Sequence, residues 1–264
     1  MKRIAVLSSA LPDAWFDGQG VALVREAECS QHEPATLRAG MCGYLAFLPA
    51  LVADVDGVVL TTTCDQMRRA AEWLDAEDRV FLFNLPSTLR QERLLEAEQA
   101  RLRRWISQLP MRCERRTAGD AVRSDARVTS TSGGVAIGII GGHFCGDRQA
   151  VEKFFGQRGI SVSLWGCEDG ECVGDVAQRP NDAFYQRVQT LVSQRRLRGL
   201  VVARTTWCDL WRLASVRLQE VLDIPVLEWV FDGQSHGQPF PDGASRTRLE
   251  AFCELVQAQR QEAP

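Results

Sequence analysis

Thr61-Thr62-Thr63-Cys64-Asp65-Gln66-Met67-Arg68 returns later in the chain as Thr205-Thr206-Trp207-Cys208-Asp209-Leu210-Trp211-Arg212, a T-T-x-C-D-x-x-R pattern with five of eight positions in common. A short apolar run opened by glycine precedes each copy, Gly57-Val58-Val59-Leu60 in one case and Gly199-Leu200-Val201-Val202-Ala203 in the other. A segment of helical periodicity follows each one. Short continuous Val/Leu runs read as strands buried on both faces of a parallel sheet, so both cysteines fall where a buried strand ends and a helix begins. Ligands bind at that edge of open α/β sheets. A thiol placed there also meets the positive end of the helix dipole, which favours the thiolate that ligates metal or attacks substrate. The duplication therefore predicts two related α/β halves facing one shared site.

The rest of the chain alternates in the same way. Apolar runs at 2–7, 57–61, 79–83, 135–140, 160–165, 199–203 and 225–231 are short and rich in Val, Ile, Leu and Phe, as strands are. Helical patterns fall near 42–53, 65–75, 88–108, 147–158, 181–196, 209–222 and 245–260. A β-α-β order of this kind implies parallel sheets with helices on their faces. Residues 111–133 interrupt it with Arg, Asp, Ser, Thr and Gly of little periodicity, ending in Ser132-Gly133-Gly134. The expected architecture is thus two Rossmann-like domains with parallel sheets, 1–110 and 134–264, joined by a linker over 111–133 and holding a site between them.

Composition sets the outer limits. A chain of 264 residues with 45% hydrophobic and 25% charged content suits a globular protein divided into two domains. Its 31 Lys and Arg against 34 Asp and Glu give a net charge of −3, which does not call for nucleic acid. No apolar run approaches the ~20 residues of a membrane span. Met1-Lys2-Arg3 followed by Ile4-Ala5-Val6-Leu7 has too short an apolar stretch for a signal peptide and reads as the first strand. Nine cysteines, an odd number without an export signal, point to a reducing cytoplasm in which thiols are metal-bound, catalytic or simply packed.

Several familiar chemistries are excluded by motif. The chain has no Walker sequence, no G-x-G-x-x-G and no G-x-S-x-G elbow, which removes an intrinsic ATPase, an ordinary dinucleotide site and a hydrolase nucleophile. The arginines between Arg101 and Arg127 either dock phosphates or form a solvated face and linker. Gly141-Gly142 after a strand either lets backbone approach a ligand or makes a turn. Cysteine spacing shows no C-x-x-C pair, the closest two being Cys167 and Cys172, so a zinc knuckle does not fit. Instead Cys64 and Cys208 come from distant strand ends, with Cys42 as a third, heading Cys42-Gly43-Tyr44-Leu45-Ala46-Phe47-Leu48. Three converging thiolates leave one position of a tetrahedral iron or zinc open for substrate. Cys253 lies on the apolar face of the last helix and reads as core, while Cys29 and Cys113 are incidental. Cys145 reads as packing, though it too heads a helix.

Further stretches resemble the 2-hydroxyacyl-CoA dehydratase subunit family, which includes benzoyl-CoA reductase subunits and double-cubane cluster proteins. Pro12-Asp13 with Gly20-Val21-Ala22-Leu23 is similar to a family segment running from a proline to a glycine and valine. Cys42-Gly43-Tyr44 resembles the first cysteine segment. Asp56-Gly57-Val58-Val59 through Cys64-Asp65-Gln66-Met67-Arg68, then Phe83-Asn84-Leu85-Pro86, resemble the second. Trp207-Cys208-Asp209, Ile224-Pro225-Val226-Leu227, Asp232 and Arg246-Thr247-Arg248-Leu249-Glu250-Ala251-Phe252 resemble the closing signature.

The resemblance implies an iron-sulfur cluster, 4Fe-4S or double-cubane, held by Cys42, Cys64 and Cys208 between α/β domains. It implies radical dehydration or reduction of an acyl-CoA thioester, with the electron supplied by a separate ATP-dependent iron-sulfur activator. A homo- or hetero-subunit of the same kind is the implied partner. Asp13 stands where the family carries carboxylates after the proline, making it a candidate acid/base. Ser9, beside Ser8 at the end of the first strand, is either a hydroxyl near the cluster or a turn former. The competing expectation is a noncatalytic or double-cubane-type iron-sulfur protein that transfers electrons or supports a partner subunit.

Overall fold

The computed structural model describes residues 1–7, 11–25, 40–62, 64–74, 78–85, 92–110, 134–141, 148–165, 181–231, 241 and 243–261. The chain divides into two compact units, one around each of two sheets. The expected linker 111–133 lies outside the described residues.

In the first unit β1 (Lys2–Val6) leads to a 3-10 turn, Asp13–Trp15, and to β2 (Val21–Arg25). A second 3-10 turn, Gly43–Phe47, runs into α1 (Leu48–Asp54), followed by β3 (Gly57–Thr61), α2 (Asp65–Trp73), β4 (Val80–Phe83) and α3 (Glu92–Gln108). The second unit comprises β5 (Val135–Gly141), α4 (Arg148–Gly156), β6 (Ile160–Trp165), α5 (Asn181–Gln194), β7 (Gly199–Thr205), α6 (Asp209–Val221), β8 (Val226–Phe231) and α7 (Gly243–Gln261). Both sheets are four-stranded and parallel throughout, ordered β2-β1-β3-β4 and β6-β5-β7-β8. The two orders are the same, and each reverses direction beside its first strand, between β1 and β3 and between β5 and β7.

Burial explains the strands. Every residue of β3 and of β7 is buried, as the unbroken Val/Leu runs require of central strands. Side chains on alternate positions serve two cores in the second unit: Ile137, Ile139, Val201 and Ala203 meet Val151, Phe155, Phe252 and Val256 on one face, while Ile140, Leu200 and Val202 meet Phe184, Val188, Trp211 and Leu218 on the other. In the first unit Ile4, Val6 and Val59 pack with Phe81, Phe83, Leu102 and Ile106.

The repeat extends to single bonds. Ile4 of β1 is level with Gly57 of β3, and Ile137 of β5 with Gly199 of β7. The residue before each glycine donates its amide to the same place, Asp56 N–H to Arg3 O at 2.9 Å and Arg198 N–H to Ala136 O at 2.7 Å. Both glycines face the last described helix of their unit. A Cβ on Gly57 would lie 2.6 Å from Cη2 of Trp105 and 2.8 Å from Cδ2 of Leu109, on or just after α3. One on Gly199 would lie 2.6 Å from Cγ1 of Val256 and 2.7 Å from Cζ of Phe252 on α7.

Three features differ from the sequence expectation. β2 was not among the expected strands; it is an edge strand of four apolar residues and an arginine, with Val21, Ala22 and Leu23 only half-buried. β7 continues through Arg204 to Thr205, two residues past the expected run 199–203, and between β1 and β2 the described helical residues form a single 3-10 turn behind Pro12, at the place where the second unit has α4. Finally, Gly141 belongs to β5 rather than to a turn: its φ is +152°, and a Cβ there would lie 1.8 Å from Ala203 O. Glycine lets β5 and β7 stay paired at that point.

Candidate functional site

The repeated cysteines occupy equivalent positions. Cys64 is the N-cap of α2 and Cys208 the N-cap of α6, and each helix begins with an aspartate, Asp65 or Asp209. An acidic residue in the first turn complements the partial positive charge of the amides there. The Cys64 carbonyl accepts from Met67 N–H at 3.1 Å and Arg68 N–H at 3.3 Å, and the Cys208 carbonyl from Arg212 N–H at 3.2 Å. Cys42 is an N-cap as well, preceding the 3-10 turn Gly43–Phe47, and is 8% exposed. All three cysteines therefore sit where helical amides point outward. The N-caps of α2 and α6 are these cysteines rather than the threonines that precede them, and neither cysteine makes a side-chain cap bond.

The segments that carry two of the three are joined directly. The amide of Cys42 donates to Oε1 of Gln66 at 2.8 Å, and Nε2 of Gln66 donates to Gly40 O at 3.3 Å. Gln66 is the second residue of α2, so one amide side chain fastens the segment carrying Cys42 to the helix headed by Cys64. On the same turn the amide of Thr62 donates to Phe83 O at 3.0 Å, and its hydroxyl accepts from Leu85 N–H at 3.1 Å, tying the end of β3 to the end of β4. Thr61 is buried, with its hydroxyl 3.6 Å from Sδ of Met67.

Cys208 stands in the second unit, on a turn held by other groups. Arg204, the second-to-last residue of β7, is 9% exposed. Its Nε donates to Oε1 of Glu228 on β8 at 2.6 Å, and its Nη1 donates to Thr205 O at 3.1 Å and Thr206 O at 3.2 Å. A charge-assisted pair thus clamps the two carbonyls that precede Trp207 and Cys208. Neither Gln66 nor Arg204 was singled out from the sequence. An arginine closing an apolar run was the one available sign, since a charge there must find a partner.

The chain matches no family model and no curated protein. Cys42, Cys64, Cys208 and Cys253 are thiols rather than disulfides. Cys253 lies within α7 and is 2% exposed, and burial pushes its thiol up to about 11, which suits a packed core residue as expected. Among the described residues, no group of three or more His, Cys, Asp and Glu is gathered closely enough to hold a metal ion. Cys42 and Cys64 stand at the starts of two helical segments that Gln66 joins, and thiolate is the donor that an iron-sulfur cluster takes.

Asp13 opens the exposed 3-10 turn Asp13–Trp15 after Pro12. Ser9, Ser8, Thr63, Cys29, Cys113, Cys145, Cys167, Cys172 and Asp232 lie outside the described residues. Arg101, considered for phosphate binding, is committed elsewhere: it pairs with Glu98 at 2.7 Å, donates to Leu82 O, and lies 4.1 Å over the Phe81 ring. Burial raises the Glu98 carboxyl, but hydrogen bonds from Arg101 and Asn84 outweigh it and hold it below the ordinary value. An open cleft of about 310 Å³ beside this group is lined by Phe81, Arg101, Arg104 and Trp105 and includes none of the candidate cysteines. Among the described residues, no helix is long and apolar enough to cross a membrane.

Proposed function

We propose that this chain is the iron-sulfur subunit of a 2-hydroxyacyl-CoA dehydratase-like enzyme, a cytoplasmic lyase or reductase acting on a CoA thioester. The observation that carries the reading is the position of Cys42, Cys64 and Cys208, each the N-cap of a helical segment. In the proposal these three hold one 4Fe-4S or double-cubane cluster between the two units, with Cys208 joining the pair that Gln66 fastens in the first. When bound, the cluster supplies one-electron chemistry and an iron position open to substrate.

The protein's own part is to fix and polarise the donors. Outward amides at the starts of α2 and α6 favour thiolate and offset the negative charge of a thiolate-bound cluster. Gln66 sets the Cys42 segment against α2, and Arg204 sets the turn before Cys208. Reduction of a thioester needs a low-potential donor, and a sequence without a phosphate-binding loop cannot drive one by ATP hydrolysis. The proposed partners are accordingly an ATP-dependent iron-sulfur activator and a second subunit of the same kind. Asp13 and Ser9 are the proposed acid/base and hydroxyl of this chain.

Anaerobic purification followed by iron analysis tests the assignment. Cys42→Ser, Cys64→Ser and Cys208→Ser should each lose most of the iron, while Cys253→Ala should keep it. Full iron in all three serine variants would overturn the site. Titration with an acyl-CoA under EPR then separates the enzyme from a noncatalytic electron carrier: the enzyme's cluster signal should change on binding, and a carrier's should not.

A further inference from the structure

The helices that follow the two cysteines differ on their outer faces. Aligning the two copies of the repeat sets Gln66, Arg69 and Glu72 of α2 against Leu210, Leu213 and Val216 of α6. Leu213 is 68% exposed, Val216 49% and Leu210 38%, and Trp207 just ahead of the helix is 54% exposed. Residues three apart on a helix share a face, so these side chains form one apolar strip about 9 Å long. The core does not require it, because α6 already buries Trp211, Ala214, Ser215 and Leu218 against its own sheet. Clustered exposed apolar side chains of this kind mark a contact surface.

We propose that this strip is where two copies of the chain pair, antiparallel and about a two-fold axis centred on Leu213. The charges beside the strip favour that occupant. In such a pair Leu210 of each copy is level with Val216 of the other, and Asp209 of each copy is level with Arg217 of the other. Asp209 and Arg217 are both exposed, and Arg217 is held over the same face by its ion pair with Glu220 at 2.8 Å. A parallel pairing would instead set Asp209 against Asp209 and Arg217 against Arg217, which opposes it. A patch that complements itself on rotation is what an isologous contact needs. The inference gives a surface to the second subunit of the same kind proposed above, but it rests on α6 alone and uses none of the cysteines, so loss of the iron in the cysteine variants and loss of the dimer here are separate outcomes.

One pair of three-turn helices covers less than the ~800 Å² per partner of a stable complex, so the dimer should dissociate in roughly the micromolar range. Sedimentation of the full chain over a dilution series measures this. Leu213→Arg, which copies Arg69 of the other helix, should weaken the dimer by about tenfold or more. Val216→Glu, which copies Glu72, should do the same, and circular dichroism checks that each variant is folded. Leu213→Cys should cross-link copy to copy on mild oxidation, well beyond the level seen in the unsubstituted chain. A wild-type chain that stays monomeric at high concentration, a dimer indifferent to both Leu213→Arg and Val216→Glu, or a monomer that captures a different protein through this strip would each overturn the proposal.

Discussion

In the first unit the turn from β3 to Cys64 is held by neutral hydrogen bonds, Thr62 to the end of β4 and Gln66 back to the Cys42 segment. In the second unit the turn from β7 to Cys208 is held by a buried cation, Arg204, whose charge is met by Glu228. The strand, the cysteine N-cap and the leading aspartate are common to both; the fastening is not. The shared T-T-x-C-D therefore specifies the backbone path from strand to helix, and each unit secures that path with whatever its neighbouring strand presents. A neutral hydrogen bond is worth about 0.5–1.5 kcal/mol and one to a charged group about 1.5–3, so the second turn is the more firmly held.

The largest expected effect falls in the second unit. β5 and β7 are each two residues longer than β1 and β3, and Gly141 closes the extension at φ +152°. Gly141→Ala would drive a methyl into Ala203 O, so β5 and β7 must part at that end, with an expected loss of about 3 kcal/mol or more. Urea denaturation should show that loss in the second unit and leave the first unchanged. Next in size is Arg204→Met, which leaves the half-buried Glu228 without its cation and should cost about 2–3 kcal/mol. The double substitution Arg204→Met with Glu228→Leu should recover most of it, because apolar side chains can replace a buried pair. No recovery would mean that the bonds to Thr205 O and Thr206 O matter more than the charge.

A third test addresses the equivalence itself. Gly57→Ala and Gly199→Ala each press a methyl against the closing helix of their unit, and overpacking of this kind costs about 1–3 kcal/mol. Similar losses in thermal or urea melts support the correspondence. A harmless change at one glycine and a severe one at the other would show that the two helices are seated differently.

What the sequence made legible follows from local pattern. Fully buried β3 and β7 announce themselves as unbroken apolar runs, and α2 and α6 as periodic segments behind a repeated cysteine. The edge strand β2 escaped because a half-exposed strand of five residues carries little such signal. β7 was expected to stop at Ala203 because Arg204 looks like surface; its burial depends on Glu228, a partner 24 positions away. Gly141 looked like turn chemistry, whereas its role comes from the approach of Ala203 on a neighbouring strand. In each case the missing information is a contact distant in sequence, which periodicity does not report.

The smallest expected effect is the one closest to the proposed site. Gln66→Leu places in α2 the residue that α6 carries at the same position and removes the bonds to Cys42 N–H and Gly40 O. Two neutral bonds at a partly buried site are worth about 1 kcal/mol net, so the melting temperature should fall only slightly. The local consequence is larger than the global one, because the bonds join two segments that are otherwise 24 residues apart. Exchange of the Cys42 amide and labelling of its thiol should both accelerate by about fivefold, the factor that 1 kcal/mol gives. Cys253, buried in the other unit with its thiol raised to about 11, serves as the internal standard and should not change. If Cys42 remains as protected as before, the segment is placed by its own apolar side chains, Leu45, Phe47, Leu48 and Leu51, all of which are buried. The first cysteine pair would then owe its position to packing, and Gln66 would be only a passenger on a face that packing had already fixed.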